Sequence, residues 1–363
     1  MQLENFDYIN MIDKKLCEDF LNFKNKRFVL GRNKWSKSII SLLKVTGVID
    51  DFTDDTHYEG YTIYKMLDIP KDAIVVSATM GGPTTAKNRL NKLNIKNIDY
   101  FAFYKYSNLE LEDPPFIKDF KEDFIKNKSS YESVYNQLVD KRSKEVFKDI
   151  LNFKITLNLD FMKNYFNDIS EQYFEDGLYE MPLNPVFVDG GGYIGDTTMI
   201  FKEKVKNSKK VYLFEPMIEN MKLAKRNLKE YSNIEFIEAG ISNFNGDVFF
   251  NEDDSSSSIS ETGNIKIKVC SLDSRIKEKV DFIKLDIEGA EQDAIEGAKE
   301  LIKNSKPILA ICIYHKAEDW YKVPKQILDI HKDYKIYLRH YMEGIFETVM
   351  YFIPPSRILR NIH

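Results

Sequence analysis

Apolar residues fall along this 363-residue chain in two blocks of alternating short runs and helical spacings, separated by a stretch of different period. In the first block RFVLG (residues 27–31) is a short apolar run closed by glycine. SKSIISLLKV then carries helical spacing, and VTGVIDD (45–51) reads as a second strand. AIVVSA (73–78) predicts a buried strand, and TTAKNRLNKL (84–93) a helix leading to IDYFAF (98–103) as the next strand. Alternation at this interval predicts a parallel sheet with right-handed crossovers.

From about residue 114 to 174 the period becomes helical throughout. FIKDFKEDFIKN, YESVYNQLVDKRSKEVFKDILNFKIT and LDFMKNYFNDI are charged and rich in aromatics. Aromatics recurring at helical spacing predict a connector lying over the second block with its Phe and Tyr residues buried. The expected division is an α/β domain over 1–113, a helical connector over 114–180 and a larger α/β domain over 181–363.

The second block opens with PVFVDG as a strand, DTTMIFKEKV as a helix and KKVYLFEP (209–216) as a strand. MIENMKLAKRNLKEY is an amphipathic helix and IEFIEAGIS (234–242) the next strand. DVFFNE and IKIKVCSLDS have the period-two character of a β-excursion. VDFIKLDIEG is a buried strand, AEQDAIEGAKELIKN a helix, and PILAICIYH (307–315) another buried strand. VPKQILDIHKD is helical, and KIYLRHY with TVMYFIP closes the chain as paired strands. Four or five β-α units ending in an antiparallel pair predict a doubly wound sheet with a reversed edge.

Composition narrows the class. Hydrophobic residues at 43% with 13% aromatics exclude a disordered chain. Lys+Arg 52 against Asp+Glu 57, a net charge of -5, argues against bulk affinity for nucleic acid or an anionic membrane. No stretch approaches the roughly 18 apolar residues of a membrane helix, and the first residues hold no apolar signal core. Cys17, Cys270 and Cys312 lack metal-like spacing and read as reduced packing residues of a cytosolic protein.

Chemistry concentrates in FVDGGGYIGD, where Gly190, Gly192 and Gly195 have the spacing G-x-G-x-x-G. Glu215 follows Gly195 by about the interval at which a dinucleotide fingerprint places its ribose ligand. Asp189, however, stands at the head of the turn, where it would repel a pyrophosphate. S-adenosylmethionine brings an ammonium and a sulfonium instead, so an anion there is favourable. Glu215, followed by Pro216, serves the ribose hydroxyls of either cofactor, and a nicotinamide dinucleotide stays open on these residues alone.

Other strand ends carry further candidates. Asp286 in KLDIEGAEQDAIEGA is delivered by an apolar strand, suited to face a sulfonium, to act as general base or to hold a divalent cation. Glu288 and Glu291 are explained equally well as acids at a helix N-terminus. His315, followed by Lys316, suits a neutral imidazole base, or a hydrogen-bonded surface residue. Asp286, Glu288 and His315 together offer a partial oxygen and nitrogen shell for a metal. Arg339 and His340 are candidates for the acceptor wall, with strand pairing as the plain alternative. The run DDSSSSISETG reads as a lid or a solvated turn. In the first block Gly31 occupies a phosphate-loop position with Asn33 and Ser36 where further glycines would fall, and Asp50 or Asp51 near a ribose position. That pattern fits a nucleotide-tagged acceptor, or a scaffold.

Residues from about 185 to 353 resemble the FkbM family of S-adenosylmethionine-dependent methyltransferases, through FVDGGGYIGDTT, VYLFEP, EAGIS, SSSISETG, CSLDS, IKLDIEGAEQDAIEGA, IYHK and YLRHY in order. The resemblance implies a seven-stranded Rossmann-like methyltransferase sheet, and O-methylation, often of sugar hydroxyls in polysaccharide or antibiotic assembly. It places Asp189, Gly191 and Gly195 around the methionyl part of the cofactor, Glu215 at the ribose, Glu238 and Ala239 at the adenine, and Asp286 and His315 toward the acceptor, with Gly190, Tyr193, Pro216 and Asp286 also counted among the cofactor-binding residues. Residues 1 to about 113 lie outside it and look like a degenerate Rossmann-like nucleotide-binding domain. The expectation is therefore a cytoplasmic methyltransferase yielding S-adenosylhomocysteine, acting on a free or nucleotide-linked sugar, with a homo-oligomer compatible. The rival readings are a nicotinamide oxidoreductase and a non-catalytic sugar-nucleotide-binding assembly protein.

Overall fold

The structure is a computed structural model describing residues 1–22, 26–250 and 265–359. The chain forms two compact units: residues 1–122, 148–167 and 342–346, and residues 123–147, 168–341 and 347–363. The stretch expected as a connector, 114–180, is thus shared between them.

The first unit is built on strands β1 (Arg27–Leu30), β2 (Gly47–Ile49), β3 (His57–Tyr58), β4 (Tyr61–Tyr64), β5 (Ile74–Ser77) and β6 (Lys96–Asp99), with helices α1 (Met11–Asn22), α2 (Lys34–Leu42), α3 (Pro83–Lys92) and α4 (Tyr100–Ser107). The sheet order is β3-β4-β2-β1-β5-β6, parallel except for the β3-β4 hairpin. β1, β2 and β5 are buried along their whole length, as strands covered on both faces must be. Phe28, Ile49, Val75 and Leu90 form the core there.

One predicted strand is divided. The run at 98–103 supplies only the end of β6; Asp99 then caps α4, accepting from the Ala102 amide at 3.0 Å. Tyr100, Phe101, Ala102 and Phe103 are all buried, so the run has no polar face to reveal its period. Helices α5 (Phe120–Gln137) and α6 (Lys141–Thr156) follow, α5 carrying a non-helical residue at Asn127.

The second unit carries β7 (Val186–Gly190), α7 (Asp196–Lys204), β8 (Lys210–Phe214), α8 (Ile218–Asn227), β9 (Ile234–Ile237), β10 (Gly240–Ile241), β11 (Gly246–Phe250), β12 (Ile265–Cys270), α9 (Leu272–Arg275), β13 (Phe282–Leu285), α10 (Glu291–Glu296), α11 (Lys299–Ser305), β14 (Ile308–Cys312), α12 (Asp319–Ile330), β15 (Lys335–His340) and β16 (Thr348–Ile353). The expected seven-stranded sheet is present in the order β15-β16-β14-β13-β7-β8-β9. β14 through β9 run parallel, and β16 and β15 reverse the edge as antiparallel strands. The excursion forms a separate sheet, β10-β12-β11. The acidic, serine-rich run expected as a lid lies outside the described residues. Order reverses beside β7, since β8 lies on one side and β13 on the other, so the turn after β7 sits at the switch point where such sheets bind ligands.

Candidate functional site

A cavity of about 460 Å³ opens at the carboxyl ends of β7, β8 and β13. The backbone turn after β7 forms its floor. The amides of Gly191 and Gly192 both donate to the Phe214 carbonyl, at 3.0 and 2.8 Å, which folds the turn back onto β8. Gly191 has φ +76, and a Cβ there would lie 2.0 Å from the Asp286 carbonyl oxygen. No side chain fits at that crossing. Gly195, in the left-handed region, precedes α7 without a side-chain cap, and Asp196 and Thr197 of the first helical turn line the cavity.

On the β8 side stands Glu215, 5% exposed. Its Oε2 accepts from the Tyr193 amide at 3.0 Å and its Oε1 from the Met217 amide at 2.9 Å. Burial raises its carboxyl above the ordinary value, and these donors act against the rise. Oε1 also takes the Asn220 side-chain amide at the longer distance of 3.4 Å, a weak bond that a hydroxyl can displace, and Oε2 keeps a lone pair, so the carboxylate is suited to a vicinal diol such as a ribose. Pro216, Ile241, Ile267 and Val269 supply an apolar slot beside it, of the kind an adenine needs.

The β13 and β14 side is rich in carboxylates. Asp286 accepts from Tyr173 at 2.9 Å and Tyr314 at 3.0 Å. Burial opposes its ionisation, but Lys284, His315 and the two phenols hold its carboxyl below the ordinary value. Glu288 and Glu347 also line the cavity, both in left-handed backbone, φ 55 and 63. Glu347 accepts from the Gln172 side chain. Burial, with Asp286 nearby, pushes its carboxyl up to about 8.

Two expectations about charge change. Asp189 does not face the cavity as an anion. It is wholly buried, accepts from Thr198 at 2.7 Å and pairs with Lys284 at 3.3 Å. Lys284 also donates to the Gly190 and Gly191 carbonyls, at 3.1 and 2.7 Å. Burial pulls this ammonium down, yet Asp189 and Asp286 outweigh it and hold the group above its ordinary value. Asp189 therefore braces the turn from below through Lys284. His315 is not a neutral imidazole. Its side chain is 1% exposed, with Glu291 at 3.1 Å, Glu288 at 3.4 Å and Asp286 at 3.6 Å. Burial lowers its pKa, but the carboxylates, Glu291 foremost, raise it to about 9. An imidazolium has no lone pair with which to accept a proton.

The remaining candidates have structural partners. Gly190 is packed under Ile241 and Leu285. Glu238 is exposed and pairs with Lys225 at 2.5 Å, and Ala239 is buried beside the lining residue Gly240. Lys316 donates to the Gly289 carbonyl. Arg339 is buried between Asp140, at 2.7 Å, and Glu175, at 3.0 Å. His340 bonds Thr348 at 2.9 Å. Arg339 thus ties β15 to Asp140 and Glu175, and His340 ties β15 to β16, so both side chains are already engaged in the fold. In the first unit, the Asn33 side chain accepts from Trp35 and Ser36 amides at 2.9 and 3.1 Å and donates to Ala78 at 2.7 Å. Asp50 pairs with Arg32 at 2.7 Å, and Asp51 accepts from the Met66 amide at 2.8 Å. Gly31, φ +107, crosses the Ala78 carbonyl at a distance that a Cβ would reduce to 2.9 Å. The residues assigned there to a nucleotide are committed to the unit's own folding.

Sequence reasoning missed Lys284, Tyr314, Glu347 and the Ile241, Ile267 and Val269 slot. A lysine inside an apolar strand was the available signal for the first of these.

A doubly wound sheet with a glycine turn and a strand-end acid defines a nucleoside-cofactor enzyme, and comparison with known proteins decides which cofactor. Residues 189–341 match the model of the Methyltransferase FkbM domain. The chain is an S-adenosylmethionine-dependent methyltransferase carrying an FkbM methyltransferase domain over that segment. Its fold is shared with the methyltransferase FkbM from Methylobacillus flagellatus KT, at 23% identity and a TM-score of 0.73, over 95% of this chain and 94% of that one. An rRNA methylase from Streptococcus thermophilus is 17% identical with a TM-score of 0.32, over 55% of this chain and 93% of that one. Fibrillarin from Aeropyrum pernix, with natively bound S-adenosyl-L-methionine, is 12% identical with a TM-score of 0.32, over 47% of this chain and 67% of that one. A search of curated proteins finds no match to the sequence. Among the described residues no helix is long and apolar enough to cross a membrane.

Proposed function

We propose that the chain methylates a hydroxyl oxygen of a sugar, free or nucleotide-linked, in cytoplasmic glycan assembly. The observation that carries this reading is the chemistry of the cavity's β13 side. Opposite the nucleoside end marked by Glu215 stand Asp286, Glu288, Glu347 and the Tyr314 hydroxyl, hydrogen-bonding groups suited to a polyhydroxylated acceptor. An apolar acceptor would strip water from the hydrogen-bonding positions these groups still offer, at a cost of about 1–3 kcal/mol for each position left unsatisfied.

S-adenosylmethionine supplies an electrophilic methyl group when bound. The chain supplies position and charge. Gly191 lets the backbone approach the ligand, Glu215 holds the ribose hydroxyls, and Asp286, kept ionised, orients the acceptor hydroxyl and attracts the positive sulfur. Oxygen forms a bond to the methyl carbon as the carbon–sulfur bond breaks, and the bonding pair returns to sulfur. The hydroxyl proton leaves to the ionised carboxylate of Asp286. His315, as an imidazolium, stabilises that carboxylate cluster. Alignment of this kind accounts for much of the acceleration in such a displacement.

The test is transfer of labelled methyl into a panel of monosaccharides, nucleotide sugars and a glycan extract. Incorporation into a sugar hydroxyl, lowered at least tenfold in turnover by Asp286→Asn with little change in S-adenosylhomocysteine affinity, supports the reading. Transfer only to nitrogen or to apolar phenols would sink it.

A further inference from the structure

Glu347 stands just before β16, whose Val349 pairs with Cys312 of β14 in antiparallel register. That register brings the residue to the carboxyl end of β14, where it lines the cavity with Asp286. One oxygen of Glu347, one of Asp286 and the Cys312 sulfur lie within 4.8 Å of one another. Two carboxyls this close and removed from bulk water oppose each other's ionisation, and a proton settles on the one whose charge is less supported.

The hydrogen bonds decide which one that is. Asp286 receives a phenol on each oxygen, Tyr173 at 2.9 Å and Tyr314 at 3.0 Å, with Lys284 and His315 adding positive charge. Glu347 has the neutral Gln172 side-chain amide on Oε2. Burial and then Asp286 push its carboxyl up to about 8, and Gln172, His315 and Lys284 act against that rise. The proton therefore belongs to Glu347 and, with Oε2 taken by Gln172, to Oε1. At neutral pH the cavity offers an acceptor and a donor side by side. An acceptor molecule that satisfies both carries two oxygens on adjacent carbons.

We propose that Glu347 is a specificity-determining residue of the methyl transfer, donating a hydrogen bond as a neutral acid to a second oxygen of the acceptor while Asp286 takes the proton of the reacting hydroxyl. This rests on the hydroxyl-methylation reading and narrows its substrate class to a vicinal diol or a hydroxyl beside a carbonyl. Around Glu347 stand Lys284 and Asp286 at the end of β13, Cys312, Tyr314 and His315 at the end of β14, and Gln172 and Tyr173 before β7. Burial keeps Cys312 and the two tyrosines protonated well above their ordinary values, and His315 loses its charge at about 9. Glu288 lines the same cavity, raised by burial against the pull of His315. Rising pH through about 8 turns Glu347 from a donor into an anion, so its hold on the acceptor is present below that pH and lost above it.

The experiment has one arm without acceptor and one with it. Infrared difference spectra of the full chain between about pH 6.5 and about pH 9 should show a protonated-carboxyl band that fades with a midpoint of about 8 and is missing from Glu347→Gln. Kinetics then compare a monosaccharide with its deoxy analogue lacking the hydroxyl next to the methylated one. The diol is expected to have a kcat/KM at least about tenfold higher, because the analogue leaves a donor unpaired. Its KM should rise above about pH 8. In Glu347→Gln, whose amide donates but cannot ionise, the diol preference persists and the rise in KM near that pH is lost. Glu347→Ala should abolish the preference, with calorimetric binding of S-adenosylhomocysteine as the check on folding. No infrared band, a band that survives Glu347→Gln, or a diol preference that survives Glu347→Ala overturns the assignment. The infrared arm needs no acceptor, so its failure speaks against Glu347 alone. Failure of every sugar to accept methyl speaks against the hydroxyl reading and takes the substrate class with it.

Discussion

The two units place a glycine turn at the same point of a parallel sheet and do opposite things with it. After β1, Asn33 turns its side chain onto the first amides of α2 in a reciprocal box with Ser36, and the acids beyond β2 are held by Arg32 and the Met66 amide. After β7 no side chain caps α7, Glu215 stands at the next strand end, and a cavity of about 460 Å³ remains. The difference shows that a strand–glycine–helix pattern measures topology only. Ligand capacity depends on whether the helix start and the neighbouring acid are already used.

The largest expected effect comes from the glycine crossings. Gly191→Ala forces Cβ into the Asp286 carbonyl and is expected to abolish S-adenosylhomocysteine binding by calorimetry. Gly31→Ala strains the first unit by about 1–3 kcal/mol but should leave that affinity unchanged. Equal loss of binding in both would break the comparison.

Next in size is a contrast between two lysines, each 2% exposed. Lys284 has Asp189 and stays charged. Lys154 has the Phe116 carbonyl at 2.9 Å and the Phe120 ring, and burial lowers its pKa to about 7. The unfolded chain binds this proton up to an ordinary value of about 10.4, so stability attributable to Lys154 rises with pH from about 7 to about 10. Below pH 7 the folded state carries the full cost of a buried charge. Lys154→Met is therefore expected to stabilise the first unit by about 2–4 kcal/mol at pH 6–7, with the gain fading toward pH 10. Calorimetric unfolding across that range checks it; a gain that grows with pH would reverse the sign of the argument.

Smaller again is the loss at the strand-end acids. Glu215→Gln keeps the shape but removes the charge from two hydroxyl bonds, and a loss of about 10- to 100-fold in S-adenosylhomocysteine affinity is expected. Asp50→Asn should not change it.

Most of the sheet was legible because its strands are apolar on both faces and end in acids, as β7, β8 and β13 show. The α4 helix was not, since a run buried all round has neither period. Glu215 was legible from spacing. Asp189 was placed correctly on its strand, but its partner Lys284 sits on another, and a charge pair across strands leaves no mark in local sequence. The same holds for Glu347, which stands just before β16 and reaches the site only through sheet order. His315 was legible as a residue and misread in charge, because Glu288 and Glu291 explained themselves as helix-start acids.

The smallest prediction tests the cap itself. Asn33→Ala removes the acceptor for the Trp35 and Ser36 amides and should cost about 1 kcal/mol. Hydrogen exchange is the sensitive measure: protection is expected to fall at those two amides and to stay unchanged in the first turn of α7. That pattern would mean the donors of α2 are silent because Asn33 occupies them. Unchanged protection at Trp35 and Ser36 would mean the cap is not what closes the first turn, and the contrast between the two units would have to rest on the strand-end acids alone.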